Sequence, residues 1–422
     1  MGDDAWTHLR QYCYCLRLVI SLAKFRLTVI ALVLALIAPF SPHSANALDP
    51  VDIASIFDRL TSGSNLADPS VVMMDEKTGQ IVYEKNSYSL RKPASVIKLY
   101  TAAAAMTYLE PQQRFRTAVW VGTEAKSLVI HGSLDPWTSF SDSQAKKMNR
   151  TSIPRIEFNS LRVLREINGD NLRTATIYYS DLYSKEVSHI RSFFAKRGVK
   201  ATMKKVNEQK ALELSLQEVL SSESPDLQTI VAYALTWSDN EVSERVARIA
   251  SRAAGYSLDD KGVAQTFAQV LTNLGIERGD QIIRDASGLS KENRVSAIQV
   301  GQLLLKLKQD SKFAPIIGGL PIGGLTGTLR NRFTDTAPQA IGLVKAKTGT
   351  LNGTANLAGY VEAGDREYIF VIIADRLKTS SRAEKMARAT VDRILGKIAA
   401  PLLPQPSPQP QPEPAEIVIA TS

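Results

Sequence analysis

The sequence predicts an α+β fold, on three observations. Strand-forming segments lie towards both ends of the chain, a helical block fills the interval between them, and a last helix follows the final strands. That order builds a sheet whose first and last strands come from opposite chain ends, with helices available to cover it. At 422 residues the chain has room for one large domain with an insertion, or for two domains.

Val71-Val72-Met73-Met74, the turn Asp75-Glu76-Lys77-Thr78-Gly79-Gln80 and Ile81-Val82-Tyr83 read as a β-hairpin with a Gly-containing turn. Pro93 precedes a helix that opens near Ser95 and runs through an alanine-rich stretch to about Tyr108, alanine being the strongest helix former. Residues 115–130 read as two strands broken at Gly122, closing on Gly132-Ser133-Leu134-Asp135-Pro136. Residues 140–220 are more polar and basic, with one helix expected over 182–197 and ended by Gly198, and they read as an inserted subdomain. Helices follow over 227–237, 241–253, 261–274 and 297–309. Strands are expected over 342–347, 356–362 and 368–374, with turns at Leu351-Asn352-Gly353 and Ala363-Gly364-Asp365, and a last helix over 381–398. Residues 48–139 and 221–399 thus form the main domain around the 140–220 insertion.

The two ends read differently. Arg17, Lys24 and Arg26 precede an apolar stretch over 27–40, and Ala45-Asn46-Ala47 has the small-x-small form that a signal peptidase cuts after. Residues 1–47 are therefore expected to be a signal peptide. The alternative is an uncleaved anchor extending back through Leu18-Val19-Ile20. Either reading implies an exported protein of the cell envelope, periplasm or extracellular space, with membrane or wall association open. Residues 401–414 (PLLPQPSPQPQPEP) have too little apolar surface to pack, so 400–422 is expected to be an extended, disordered tail.

Composition removes several chemistries. Cys13 and Cys15 both lie inside the expected signal, which leaves a mature chain with no disulfide, no thiol nucleophile and no cysteine zinc site. Beyond residue 47 the histidines are His131 and His189, with no H-E-x-x-H pair and no nucleophile elbow beside either. No metal or cofactor is expected. The net charge of +9 suits an anionic surface such as a cell wall as well as it suits ordinary solubility. No basic run is interleaved with aromatics, so nucleic acid is not an expected partner.

Three short strings carry the chemistry: Ser95-Val96-Ile97-Lys98, Ser238-Asp239-Asn240 and Lys347-Thr348-Gly349-Thr350. Each is commonplace alone, the first two as a helix start with a capping serine and the third as a β-turn. Their order S-x-x-K, S-D-N, K-T-G belongs to enzymes that attack an acyl donor with a serine activated by a lysine. Ser95 and Lys98 are three residues apart at a helix start, so their side chains face the same way. A lysine shielded from water and close to other cations loses proton affinity and becomes a base for the serine hydroxyl. Ser238 would relay a proton to the leaving group, Asn240 would hydrogen-bond the substrate backbone, and Asp239 would hold the turn. Lys347 offers charge, Thr348 and Thr350 offer hydroxyls to a substrate carboxylate, and Gly349 lets a ligand approach the strand edge. The backbone N–H groups of Ser95 and Thr350 are the candidates for holding an oxyanion.

With these strings in place the sequence resembles the serine D,D-peptidase and β-lactamase superfamily. The resemblance is strongest to the class C low-molecular-mass penicillin-binding proteins, the D-alanyl-D-alanine carboxypeptidase/endopeptidase family. It extends to Lys92-Pro93-Ala94-Ser95, to Gly132–Pro136, to Ser224-Pro225 ahead of the second string, and to Asp285-Ala286-Ser287-Gly288-Leu289-Ser290 with Asn293-Arg294-Val295-Ser296. Leu320-Pro321-Ile322-Gly323-Gly324, Gly327-Thr328-Leu329 and Arg332 resemble the family's approach to the third string. The interval from Ser95 to Ser238 is shorter than the family's, so the inserted subdomain is expected to be reduced.

The resemblance implies an antiparallel sheet flanked by helices beside an all-helical lobe, with the active site between them. It implies a serine carboxypeptidase that releases the terminal D-alanine of peptidoglycan stem peptides through a Ser95 acyl-enzyme, with D,D-endopeptidase action on cross-links left open. Penicillins and other β-lactams would be covalent inhibitors at the same serine. A β-lactamase is one alternative, disfavoured because none of Glu241, Glu244, Glu277 and Glu292 has an asparagine four positions on, as a class A E-x-x-x-N loop requires. A non-catalytic wall-binding homologue is the other, and it would be expected to lack Ser95 or Lys98.

Overall fold

The computed structural model describes residues 48–399. The segments read as a signal peptide (1–47) and as a proline-rich tail (400–422) lie outside the described residues. Among the described residues no helix is long and apolar enough to cross a membrane.

Helix α1 (Pro50–Thr61) leads into the hairpin of β1 (Ser70–Asp75) and β2 (Ile81–Lys85). A 3₁₀ turn over Ala94–Ile97 runs directly into α2 (Lys98–Tyr108). Then come β3 (Arg116–Gly122), β4 (Ser127–His131), α3 (Ile153–Asn168), β5 (Thr174–Ser180), α4 (Ser184–Ala195), β6 (Lys200–Lys205) and β7 (Ser215–Glu223). The helical block is α5 (Leu227–Trp237), α6 (Asn240–Ala253), α7 (Asp260–Asn273) and α8 (Ala297–Gln309). The chain closes with β8 (Val344–Leu351), β9 (Thr354–Ala363), β10 (Arg366–Ala374) and α9 (Ser381–Ala399).

The main sheet has the order β8-β9-β10-β1-β2 and is antiparallel throughout. Its centre joins the two ends of the chain, as expected: β1 pairs with β10 from Ser70↔Ile373 to Asp75↔Tyr368. Val72, Met74, Ile369, Val371 and Ile373 point into a core shared with α2, α5, α6, α7 and α8. Val71, Met73, Phe370 and Ile372 point the other way, into a core shared with α1 and α9. Both faces are covered, which is why these strands are unbroken apolar runs rather than alternating ones. Each fully buried Val, Ile or Phe here contributes about 1.5–3 kcal/mol. Strand β8 is one edge of this sheet, and it carries the third string.

The inserted lobe begins and ends outside the expected 140–220. Its five-stranded sheet has the order β6-β5-β4-β3-β7, so it takes in β3 and β4, which the sequence assigned to the main domain. Strands β3 and β4, and β3 and β7, pair antiparallel, whereas β4–β5 and β5–β6 are parallel with helical crossovers. The boundary was missed because the strand pairs join residues far apart in sequence, such as Arg116↔Glu223. The edge strands are also polar: β6 is Lys-Ala-Thr-Met-Lys-Lys, a lysine-rich edge that resists pairing with another chain. Val119, Ile130, Ile156, Leu164, Ile177, Ile190 and Phe194 make the lobe's own core.

Candidate active site

The 3₁₀ turn brings Ser95 and Lys98 together. In that geometry residues three apart eclipse, and Lys98 Nζ donates to Ser95 Oγ at 2.9 Å. The helix expected to open near Ser95 thus becomes α-helical only at Lys98. Lys98 is 1% exposed, and its Nζ also donates to Asn240 Oδ1 at 2.7 Å and to the Ser287 carbonyl at 2.5 Å. Burial lowers its pKa to about 8, against the opposing pull of the Asp285, Glu244 and Asp239 carboxylates. The amine is therefore part-neutral near neutral pH while directed at a serine hydroxyl.

The second string sits where α5 hands over to α6. Ser238 is left-handed, at φ 58°, and Asp239 caps α6 by accepting from Val242 N–H at 3.0 Å. Arg150, on the inserted lobe's side, reaches Asp239 at 3.4 Å while its guanidinium lies 4.2 Å from the Trp137 ring centre and 5.1 Å from that of Tyr233. The Asn240 carbonyl oxygen faces Lys98 rather than open space, so any contact to substrate falls to its amide nitrogen.

The third string lies on the edge strand. Side chains alternate along β8, and Lys347 turns inward: it is 0% exposed, and its Nζ donates to Ser238 Oγ at 2.8 Å and to the Thr348 carbonyl at 2.9 Å. Burial holds the Lys347 pKa well below the ordinary lysine range, and the Lys98 charge adds to that. The Thr348 and Thr328 hydroxyls lie 3.0 Å apart, and Thr350 is exposed. A cleft of about 580 Å³ runs from Ser95, Ser238 and Asn240 past Thr348 and Thr350 to Lys385 and Arg388 on α9. In its far arm Arg332 is paired with Asp392 and Arg388 with Glu384.

The backbone that presents Ser95 is under local strain. Ala94 has φ 47°, a left-handed conformation costing a side-chain-bearing residue about 1–2 kcal/mol. Neighbours hold it there. Asn356 on β9 donates to the carbonyls of Lys92 at 2.8 Å and Pro93 at 2.9 Å, and accepts from Ala374 N–H at 3.1 Å. Gly349 is required because a Cβ there would lie 2.6 Å from the Pro93 oxygen.

All three strings meet at one cleft, but the sequence did not point to several of the groups that hold them. The Ser287 carbonyl accepts from both Ser95 Oγ, at 3.2 Å, and Lys98, and a backbone carbonyl has no residue-type signature. Its loop is tied by Asp285, which accepts from Gly288 N–H at 2.7 Å and from the Asn293 amide at 2.8 Å. Asn356 was read only as the start of a strand. A polar residue opening an apolar run was the one available signal.

A serine joined to a buried lysine, between a helical lobe and an antiparallel sheet, defines a class of serine acyl-enzyme hydrolases. Residues 54–155 and 173–398 match the D-Ala-D-Ala carboxypeptidase 3 (S13) family, and the chain belongs to it. It is a serine-type D-Ala-D-Ala carboxypeptidase, a hydrolase. Carboxypeptidase DacB of Mycolicibacterium smegmatis is 26% identical over 385 residues, 78% of this chain and 82% of that protein. A D-alanyl-D-alanine carboxypeptidase of Actinomadura is 32% identical over 163 residues, 37% of this chain and 30% of that one. The fold matches penicillin binding protein 4 (dacB) of Haemophilus influenzae at TM-score 0.60 and 16% identity, covering 81% of this chain and 98% of that chain. It also matches a predatory peptidoglycan endopeptidase of Bdellovibrio bacteriovorus at TM-score 0.53 and 15% identity, covering 78% and 92%.

Proposed function

We propose that Ser95 is the nucleophile and Lys98 its base in releasing the terminal D-alanine from peptidoglycan stem peptides. The observation that carries this is the 2.9 Å contact between Ser95 Oγ and a buried lysine whose pKa is lowered to about 8. At pH 7 about a tenth of such a lysine is neutral, enough for general-base work. Neutral Lys98 takes the Ser95 proton as Oγ bonds to the carbonyl carbon between the two D-alanines. The resulting oxyanion would rest on the Ser95 and Thr350 N–H groups. Collapse breaks the C–N bond, and the leaving amine takes a proton through Ser238 Oγ, which Lys347 holds at 2.8 Å. Water then hydrolyses the ester, restoring the serine and freeing the shortened stem. Thr348 and Thr350 are the hydroxyls offered to the substrate carboxylate.

A β-lactam would acylate Ser95 in the same way, and without an E-x-x-x-N loop the adduct should persist for many minutes. A fluorescent penicillin should label Ser95, mapped by tryptic peptides, and Ser95→Ala should abolish labelling. Labelling of Ser95→Ala would overturn the assignment. Rapid loss of label with hydrolysed drug would favour a β-lactamase.

Endopeptidase action on cross-links is the second reading. It is supported by the arm of the cleft that continues past Thr350 to Lys385, which has room for more than one alanine. Mass spectrometry of muropeptides digested with residues 48–422 separates the two activities. An envelope location is proposed on the 27–40 apolar stretch and Ala45-Asn46-Ala47. N-terminal sequencing of exported protein tests it, cleavage being expected before Leu48.

A further inference from the structure

The mechanism above leaves one half-buried carboxylate beside the site without a role. Glu244 lies on α6, one helical turn after Asn240, and none of the three strings contains it. Its Oε1 accepts two backbone N–H groups at once, Ala286 at 2.9 Å and Ser287 at 2.9 Å. The carbonyl that follows in the chain is that of Ser287, and it accepts from Lys98 Nζ at 2.5 Å and from Ser95 Oγ at 3.2 Å. A peptide loop is thus gripped at its N–H side by a helix carboxylate and presents its oxygen to the nucleophile and base together.

We infer that Glu244 is a positioning residue for acylation, setting the Ser287 carbonyl that aims the Lys98 amine at Ser95. The inference rests on the reading of Ser95 and Lys98 given above. Two features separate this grip from ordinary loop packing. Asp285 and Asn293 already tie the rest of the loop and the Thr101 hydroxyl holds the Ala286 carbonyl at 2.8 Å, so the grip of Glu244 falls on the N–H groups just ahead of the Ser287 carbonyl that meets Lys98. Gly288 then packs so close to the nucleophile's turn that a Cβ on it would lie 2.1 Å from the Ala94 oxygen. A shift of the 286–288 backbone therefore moves both the base's acceptor and the turn bearing Ser95.

Glu244 also acts through its charge. The groups facing it are Arg248 on the same helix, 3.5 Å away, Asp285 on the loop and Lys98 on α2. Its carboxylate, with those of Asp285 and Asp239, raises the proton affinity of Lys98 against the effect of burial. Removing the charge while keeping the oxygen must lower that affinity, and neutral Lys98 would persist to lower pH.

The test measures penicillin acylation of Ser95 in the full chain across a pH series, resolving the non-covalent dissociation constant from the acylation rate constant. Glu244→Ala is expected to slow acylation roughly tenfold to a hundredfold, the cost of misplacing a catalytic group by about an ångström, with the dissociation constant unchanged. Glu244→Gln keeps the acceptor oxygen and guards against a folding defect. It is expected to hold the wild-type rate on the high-pH plateau, with its acid limb displaced to lower pH. Wild-type acylation by Glu244→Ala would overturn the inference. So would a Glu244→Gln variant as slow as Glu244→Ala with an unmoved acid limb. Failure of the wild type to label at Ser95 would overturn the Ser95 reading and this one with it, whereas either of the other results overturns the role of Glu244 alone.

Discussion

Asn356 holds the carbonyl of Pro93 at 2.9 Å, so a side chain from the second strand of the sheet fixes the backbone two residues before Ser95. The same amide holds Lys92, and its oxygen takes the N–H of Ala374. Asn356→Ala leaves three buried backbone groups short of a partner and is expected to cost about 1–3 kcal/mol in denaturant unfolding. The left-handed Ala94 loses its brace, so penicillin acylation should slow as well. Asn356→Asp should be worse, because a carboxylate cannot donate to either carbonyl.

Gly288 has φ 87°, and its Cα lies against the Ala94 carbonyl. Gly288→Ala meets both a backbone conformation that disfavours a side chain and a clash that neither main chain can relieve by rotating a side chain. The expected result is a drop of several-fold or more in acylation rate together with a lower melting temperature. A variant with wild-type acylation kinetics would mean that the 286–288 loop moves freely of the Ser95 turn.

The helices of the helical block were legible as local segments, and the structure shows that each begins with a capping side chain. Asp226, Asp239, Asp259 and Ser296 each accept a backbone N–H three residues on, at the starts of α5, α6, α7 and α8. The central strands β1 and β10 were legible because burial on both faces makes them apolar throughout. In the inserted sheet β3 and β4 were legible as strands but β6 and β7 were not, since they are half-exposed and their polar residues look like loop. In the site, the three strings are side-chain chemistry and could be read. The Ser287 carbonyl, the left-handed Ala94 and the grip of Glu244 depend on backbone placement between distant segments, which no local pattern encodes.

Arg150 connects the inserted lobe to the second string, with its guanidinium against Trp137 and Tyr233 and its end at Asp239. Arg150→Ala is expected to cost about 1–2 kcal/mol from the lost stacking on aromatic faces. Acylation should also weaken, because Asp239 both caps α6 and positions Ser238 and Asn240. Arg150→Lys should not rescue, since an ammonium lacks the planar surface that stacks on two rings. Chemical unfolding and acylation kinetics of both variants check this.

The buried Lys98 amine is expected to cost stability near neutral pH, and both acylation and wild-type stability should rise with pH. In the proposed mechanism Lys98 works when neutral, so acylation is expected to rise with pH through about 8 and level off above it. Lys98→Arg should be inactive across the whole range, because a guanidinium stays protonated. For stability the sign follows from the depressed pKa. Below about 8 both folded and unfolded chains hold the proton, and the folded state bears the whole cost of a buried ammonium. Between about 8 and the ordinary 10.5 the unfolded chain holds a proton that the folded chain has shed, so wild-type stability rises with pH, by up to about 3 kcal/mol from this group. Lys98→Met fills a similar volume without the charge and removes that dependence. Subtracting the two stability-versus-pH curves cancels the titrating groups that do not interact with Lys98, so the difference should favour the inactive Met variant near neutral pH and shrink as pH rises through that window. A flat difference would mean that Lys98 keeps its ordinary proton affinity in the folded protein, and the base would then have to be found elsewhere.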